Sequence, residues 1–344
     1  MLKSNPLRRV FFAYDAAAPD GGVAAADVLQ QLATLRPVLA ATGLDCRELA
    51  VGLDFHSLRE QLGEPGESLV FNLVESLAGL DRLQTVFVMF LESWGVPFTG
   101  SGSAALYLSN HKLLAKQQLD GVVPLSPSCH LDRTGQGVFT PPDCLVAGQW
   151  LTKPVECHAS LHMDDNSLLS VTTPEELVER LRSLEQRHGC PFFAEHFIGG
   201  REFNVSLVED REKGEVVVLP PAEINFTGLA AGKPRIVGFA AKWEEDSPEY
   251  LATPRFFPDL AGEAGLAREL REYSLAAWRC LDLAGYARVD FRVDSTGRPY
   301  FLEANTNPCL SPDAGFLAAV ARAGWSVSDL CQRIVRAAGV DWPN

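Results

Sequence analysis

Short apolar runs broken by polar and glycine-containing stretches alternate along this chain with longer segments whose apolar residues recur at helical spacing. Runs of four to eight β-branched and aromatic residues read as strands, and recurrence every three to four residues reads as a helix with one buried face. The first hundred residues thus predict strands over Val10–Tyr14, Leu44–Val51, Leu69–Asn72 and Val96–Thr99, with helices over Val23–Thr42 and Gln84–Trp94. Such alternation suggests a small parallel α/β unit. The turn Thr99-Gly100-Ser101-Gly102-Ser103 leads into a single helix over 104–119. A second α/β unit follows, with strand Thr152–Val155, helix Pro174–Arg187 and strand Phe192–Glu195. The remainder mixes strands Phe203–Val208, Val216–Leu219, Ala287–Val293 and Pro299–Ala304 with helices over 264–283 and 315–338, an α+β order. These breaks divide the chain into residues 1–109, 110–194 and 195–344.

A chain of 344 residues that is 47% hydrophobic is long enough for several cores. Its formal net charge of −14 argues against nucleic acid or an anionic membrane as a partner, since both are bound by basic surface. Small anionic ligands would need local cations or bound metal. The eight cysteines are scattered with no CxxC pair, which fits reduced thiols better than a zinc site or a disulfide scaffold. The N-terminal apolar run is too short for a signal peptide, so a cytoplasmic protein is expected.

The densest chemistry lies in Ala287-Arg288-Val289-Asp290-Phe291-Arg292-Val293, the turn Asp294-Ser295-Thr296-Gly297, and Tyr300-Phe301-Leu302-Glu303-Ala304-Asn305. As a hairpin with strict alternation, Val289, Phe291, Val293, Leu302 and Ala304 would share one face, leaving Arg288, Asp290, Glu303 and Asn305 on the other. Two carboxylates and an amide oxygen make a hard donor set suited to Mg²⁺.

This hairpin, and Glu303-Ala304-Asn305-Thr306 above all, resembles the metal-binding end of D-alanine–D-alanine ligases within the ATP-grasp superfamily. Upstream, Ser109-Asn110-His111-Lys112-Leu113 and Leu151-Thr152-Lys153-Pro154 are similar to segments that carry the family's two phosphate-binding lysines. Phe193-Ala194-Glu195-His196-Phe197-Ile198 through Glu202 resembles its adenosine-binding hinge. The resemblance implies a three-domain ATP-grasp fold, with ATP held by Lys112, Lys153, Glu195, His196, Phe197, Ile198 and Glu202. Metal, Mg²⁺ or alternatively Mn²⁺, would sit on Asp290, Glu303 and Asn305. Arg288 is implied as the oxyanion stabiliser, with Lys242 and Ser160 reaching the phosphates. It implies small carboxylate and amine substrates joined through an acyl phosphate, and leaves a homodimer open.

The departures point one way. The loop Tyr14-Asp15-Ala16-Ala17-Ala18-Pro19-Asp20 lacks the family pattern for holding the first amino group, Phe71-Asn72-Leu73-Val74-Glu75 replaces a His-Gly segment, and Ala314 stands where a serine is expected. The glycines of the phosphate loop are also replaced, over Cys157-His158-Ala159-Ser160-Leu161-His162-Met163. Asn307, Ser311, Asp313 or Arg201 are candidates to contact substrate instead. The expected activity is therefore amide formation on substrates other than D-alanine, against a genuine D-alanine–D-alanine ligase or a silent ATP-binding scaffold. A Rossmann reading of Gly100-Ser101-Gly102-Ser103-Ala104-Ala105 competes at the level of motif alone. Thiol nucleophiles at Cys157 or Cys309 are disfavoured, since free cysteines more often behave as small apolar residues.

Overall fold

The computed structural model describes residues 7–17, 22–63, 66–156, 162–244 and 246–343. Val10, Phe11, Phe12 and Ala13 are all buried, as a central parallel strand covered on both faces must be. Their strand, β1 (Arg9–Asp15), lies between β2 (Asp45–Val51) and β3 (Ser68–Asn72) and runs parallel to both. With α1 (Gly22–Ala40), α2 (Phe55–Leu62) and α3 (Gln84–Trp94) they form the expected parallel α/β unit. Phe12, Leu35, Leu39 and Phe71 pack in one core, and Phe11, Leu49, Phe87 and Leu91 in another. The expected strand 96–99 is reduced to one parallel bridge between Val70 and Phe98. Pro97 has no N–H to extend the ladder.

The expected helix 104–119 is two helices, α4 (Ser103–Asn110) and α5 (Lys112–Leu119). His111 adopts an extended backbone between them, and its Nδ1 accepts the Leu114 N–H as the cap of α5. The break makes Lys112 the first residue of a new helix, with its N–H on the Val155 carbonyl at 3.1 Å.

The middle of the chain builds β4 (Ser128–Leu131), β5 (Gly137–Thr140), β6 (Gly148–Pro154), β7 (Leu168–Val171), α6 (Pro174–His188) and β8 (Phe192–His196). The sheet order is β5-β4-β8-β6-β7 and every pair is antiparallel, which corrects the α/β expectation. Connections between sequence-adjacent partners such as β4–β5 and β6–β7 need no crossover helix. Helix α6 starts on a Thr173 cap with Pro174 in its first turn, and stops at Gly189 in the left-handed region. Its residues Leu177, Leu181 and Leu184 pack with Cys129, Trp150 and Phe192.

The last sheet comprises β9 (Arg201–Asp210), β10 (Glu215–Val218), β11 (Ala222–Ile224), β12 (Arg255–Phe256), β13 (Tyr286–Val293) and β14 (Pro299–Asn305). Its order is β12-β11-β9-β13-β14, with β10 also on β9. Short helices α7 (Phe239–Trp243) and α8 (Pro248–Ala252) precede α9 (Ala264–Cys280), whose Leu266, Leu270 and Trp278 join a core with Phe203, Val289, Phe291 and Phe301. The expected terminal helix divides into α10 (Gly315–Arg322) and α11 (Val327–Ala337), with Gly324 at φ +80° and a Ser326 capping box between. Both helices return to the first unit, where Phe316, Val320, Leu330 and Ile334 share a core with Phe12 and Leu35. Among the described residues no helix is long and apolar enough to cross a membrane.

One register detail shapes the site. In the β13–β14 hairpin Arg288 faces Asn305 and Asp290 faces Glu303, as alternation requires, but Phe291 pairs with Phe301. Leu302 is therefore the extra residue of a β-bulge. Phe301, not Leu302, enters the core, and Leu302 lines the cavity instead. This corrects the face assigned to Leu302, since one inserted residue reverses the parity of the strand beyond it.

Candidate active site

A cavity of about 580 Å³ is lined from the antiparallel sheets, the Lys112 turn and residues 309–315. Lys112, Lys153, Glu195, His196, Phe197, Ile198, Glu202, Lys242, Arg288, Asp290, Glu303, Ser311 and Asp313 all line it. Three other described candidates, Asn305, Asn307 and Arg201, do not. Asn305 Oδ1 accepts the Asn307 N–H at 3.1 Å, and Asn305 stands beside the lining at the end of β14. The Asn307 amide is engaged by the Tyr286 hydroxyl and the Val74 carbonyl, which ties the C-terminal loop to the first unit. Arg201 is held by Glu223 and Glu263. Ser160 lies outside the described residues, as does Cys157.

In the cavity wall, Glu195 sits on β8 between two buried lysines, Lys153 Nζ at 2.5 Å and Lys116 Nζ at 2.8 Å. Burial opposes ionisation of this carboxyl, but Lys116 and Lys153 overcome it and hold the pKa at about 2. Lys116 was not singled out by the sequence reading, although it lies four residues from Lys112 on the same helical face.

The hairpin brings Asp290 and Glu303 into register on the cavity wall. Arg288 forks onto Asp290, with Nε 2.8 Å from Oδ1 and Nη2 2.8 Å from Oδ2. Burial again opposes ionisation of Glu303, and Lys112, Lys153, Lys242 and Arg288 bring its pKa to about 2. Glu303 is thus an anionic hard donor at neutral pH. Among the described residues no three His, Cys, Asp or Glu side chains form a metal cage. Two carboxylates fit an ion such as Mg²⁺, which takes one or two and completes its shell with phosphate and water.

At the hinge after β8, the Ser126 hydroxyl bonds the His196 carbonyl, and the Phe197 N–H reaches the Gln149 carbonyl at 2.8 Å. Gly200 stands at φ +126°, where a Cβ would come 2.3 Å from the Val293 carbonyl oxygen. Only glycine lets β9 begin so close to β13. Across that contact Glu202 faces Arg292, whose Nη1 lies 3.0 Å from its carboxylate. Arg292 was also missed from sequence, although it continues the alternation of Arg288 and Asp290 on β13.

The opposite end is a chain of polar contacts. Cys309 Sγ donates to Asp27 at 3.1 Å and lies 3.0 Å from Ser311 Oγ, and Ser311 donates to Asp313 at 2.9 Å. Burial, then the charge of Asp27, pushes the Cys309 thiol far above its usual range. That argues against a thiolate nucleophile. Ala314 caps α10 with no side-chain hydrogen bond, and Arg255 donates to the Asp313 carbonyl beside it. Asp15 is spent inside the first unit on Ser76 and the Gly79 N–H. The Gly100–Ser103 turn has the Glu92 carboxylate on the Ser103 N–H and hydroxyl, where a pyrophosphate would have to sit.

The family model described as D-ala D-ala ligase C-terminus matches residues 165–336. A D-alanine–D-alanine ligase of Geobacter sulfurreducens is 30% identical over 250 residues, covering 71% of this chain and 70% of the relative. The chain belongs to the D-alanine–D-alanine ligase family. Another relative in this range is a protein of Sinorhizobium fredii described only as uncharacterized protein y4sG, 32% identical over 270 residues, covering 78% of this chain and 73% of the relative. The crystal structure of a Bacillus anthracis D-alanine–D-alanine ligase complexed with ATP superposes at a TM-score of 0.71 with 19% identity, covering 97% of each chain. The VanG D-Ala:D-Ser ligase of Enterococcus faecalis does so at 0.69 with 15% identity, over 97% of this chain and 99% of that one. The ATP-grasp fold spans the chain, and this family member is an ATP-dependent ligase of the D-alanine–D-alanine ligase type.

Proposed function

We propose that this family member joins a carboxylate to an amine through an acyl phosphate, on substrates other than D-alanine. The observation that carries the reading is the convergence of Lys112, Lys153, Glu202, Arg288, Asp290 and Glu303 on one cavity whose far end is lined by Asp27, Cys309, Ser311, Asp313 and Ala314. In this reading Lys112 and Lys153 neutralise the phosphates of ATP, the hinge at Phe197 and Ile198 meets the adenine edge, and Glu202 accepts from the ribose hydroxyls. Magnesium, or manganese in its place, on Asp290 and Glu303 with Asn305 alongside, would supply charge neutralisation for phosphoryl transfer. Arg288, held in orientation by Asp290, stabilises the oxyanion formed when the amine attacks. Ser160 is kept as a candidate phosphate contact and Lys242 as a second. The three sheets support three units close to the expected 1–109, 110–194 and 195–344, with the boundaries better set after α4 (Ser103–Asn110) and after β8 (Phe192–His196) than inside them.

The far end supports a substrate other than D-alanine. Asp27 and Asp313 put negative charge close to the start of α10, a place otherwise suited to holding a carboxylate. Ser311 and Asp313, bonded to each other, are the side chains positioned to read the amine substrate. Asn307 serves that loop through Tyr286 and Val74 rather than by direct contact. An ADP-release screen over amino acids and small carboxylates, singly and in pairs, tests the reading, with Glu303→Gln as control. Efficient D-alanyl-D-alanine synthesis would refute the substrate proposal, and ADP release that persists in Glu303→Gln would refute the metal assignment.

A further inference from the structure

Arg292 is an arginine where the interior offers little reason for one. The residue is 4% exposed, and its guanidinium reaches four separate segments. Nε donates to the Ile198 carbonyl at 2.9 Å, and Nη1 donates to Glu202 Oε2 and to the Arg235 carbonyl at 3.0 Å each. Its Cζ lies 5.0 Å from the Phe197 ring centre and 5.4 Å from that of Phe226, within cation–π range of both. Nη2 is buried and, among the described residues, has no hydrogen-bond partner. A buried ion pair carrying unused donors is a poor stabiliser compared with apolar residues of the same size. Stability alone does not account for it.

Its partners supply the reason. Ile198 and Glu202 line the cavity, and both belong to the stretch read as the nucleoside-binding hinge. The Ile198 N–H has no hydrogen-bond partner among the described residues, so it is available to a base edge, while the carbonyl of the same residue is fixed by Arg292. Glu202 lies directly across the β9–β13 ladder from Arg292 and gives it one oxygen, leaving the other to accept from ligand hydroxyls. We propose that Arg292 is a positioning residue for the nucleotide, which pre-orients Ile198 for the base and Glu202 for the ribose of a nucleoside triphosphate. This rests on the nucleotide reading of the cavity and adds a residue that touches neither phosphate nor metal.

The test compares ATP with 2′,3′-dideoxy-ATP in wild type, Arg292→Met and Arg292→Lys by calorimetric titration, with ATP KM and kcat measured in turnover. In Arg292→Met, ATP binding should weaken about tenfold or more, and the wild-type preference for ATP over the dideoxy analogue should collapse to about twofold. KM should rise while kcat at saturating ATP changes by less than about threefold. Arg292→Lys keeps a cation opposite Glu202 but loses the planar fork. It should fold even where the methionine variant does not, and recover part of the ribose preference without the full affinity. A lowered melting temperature with unchanged ATP affinity and unchanged analogue preference in Arg292→Lys would show a purely structural brace and overturn the proposal. If wild type binds ATP without preferring it to the dideoxy analogue, the Glu202–ribose contact fails, and Arg292 with it. If wild type binds no ATP at all, the nucleotide reading itself falls.

Discussion

Arg288 and Asp290, two residues apart on β13, close a two-pronged ion pair with both contacts at 2.8 Å. Alternation puts both side chains on the cavity face, and the fork fixes the guanidinium plane, which a lysine could not do. Arg288→Lys should therefore lower amide formation by about a hundredfold, while ATP affinity by titration changes by less than about threefold. A matching loss in ATP affinity would contradict the oxyanion assignment.

Glu195 gives a prediction with a pH signature. Its folded-state pKa of about 2 lies below the ordinary 4.5, so its contribution to stability is complete above about pH 4.5 and is lost as pH falls toward 2. Removing one partner of a buried pair costs about 3–5 kcal/mol. Lys116→Met should lower the unfolding free energy by about that amount at pH 7, with the deficit narrowing in denaturant titrations below about pH 4.5. A deficit independent of pH would assign the loss to packing.

Glu75 behaves in the opposite sense. Burial, then the charge of Asp27, raises its pKa to about 7 despite Lys242 and the Gln31 hydrogen bond. A raised carboxyl is protonated in the folded chain over a range where the unfolded chain has lost the proton. Stability therefore falls as pH rises from about 4.5 to 7 and stays at the lower level above. Glu75→Gln should remove that slope and raise stability at pH 8 by on the order of 2 kcal/mol. Parallel stability curves for variant and wild type would exclude it.

How much of this was legible from sequence varies by residue for physical reasons. β1, α3, α6, β8 and the β13–β14 hairpin were readable because each buries a full face and ends on a local signal, such as Gly95, Gly189 or the Asp294 turn. The carbonyl and carboxylate of Asp294 receive bonds from Gly297, Thr296 and Arg298 as that turn requires. β4, β5 and β7 were not readable, being four residues each and partly exposed. The split at His111 depends on a side-chain cap and a contact with Val155 that no periodicity reports. Leu302 was misplaced because a bulge leaves no compositional trace. In the site, Lys112, Lys153, Asp290 and Glu303 fell in recognisable segments. Lys116 and Arg292 act through partners distant in sequence, and only their spacing from Lys112 and Asp290 hinted at them.

Helix α5 has a mechanical consequence. Its Ala115 and Leu119 are set in the core of the last sheet, whereas its Lys116 and the Lys112 N–H are bound to Glu195 and Val155 of the middle one. Helix α5 therefore ties the two sheets on one side of the cleft, and a second set of ties joins 162–167 to 229–240. There Lys233 spans Asp165 at 2.5 Å and Glu249 at 2.9 Å, a clasp exposed enough for salt to screen. Higher ionic strength should speed amide hydrogen exchange in 162–167 and 229–240 while leaving α5 unchanged, as the fore-edge of a book loosens while its binding stays closed.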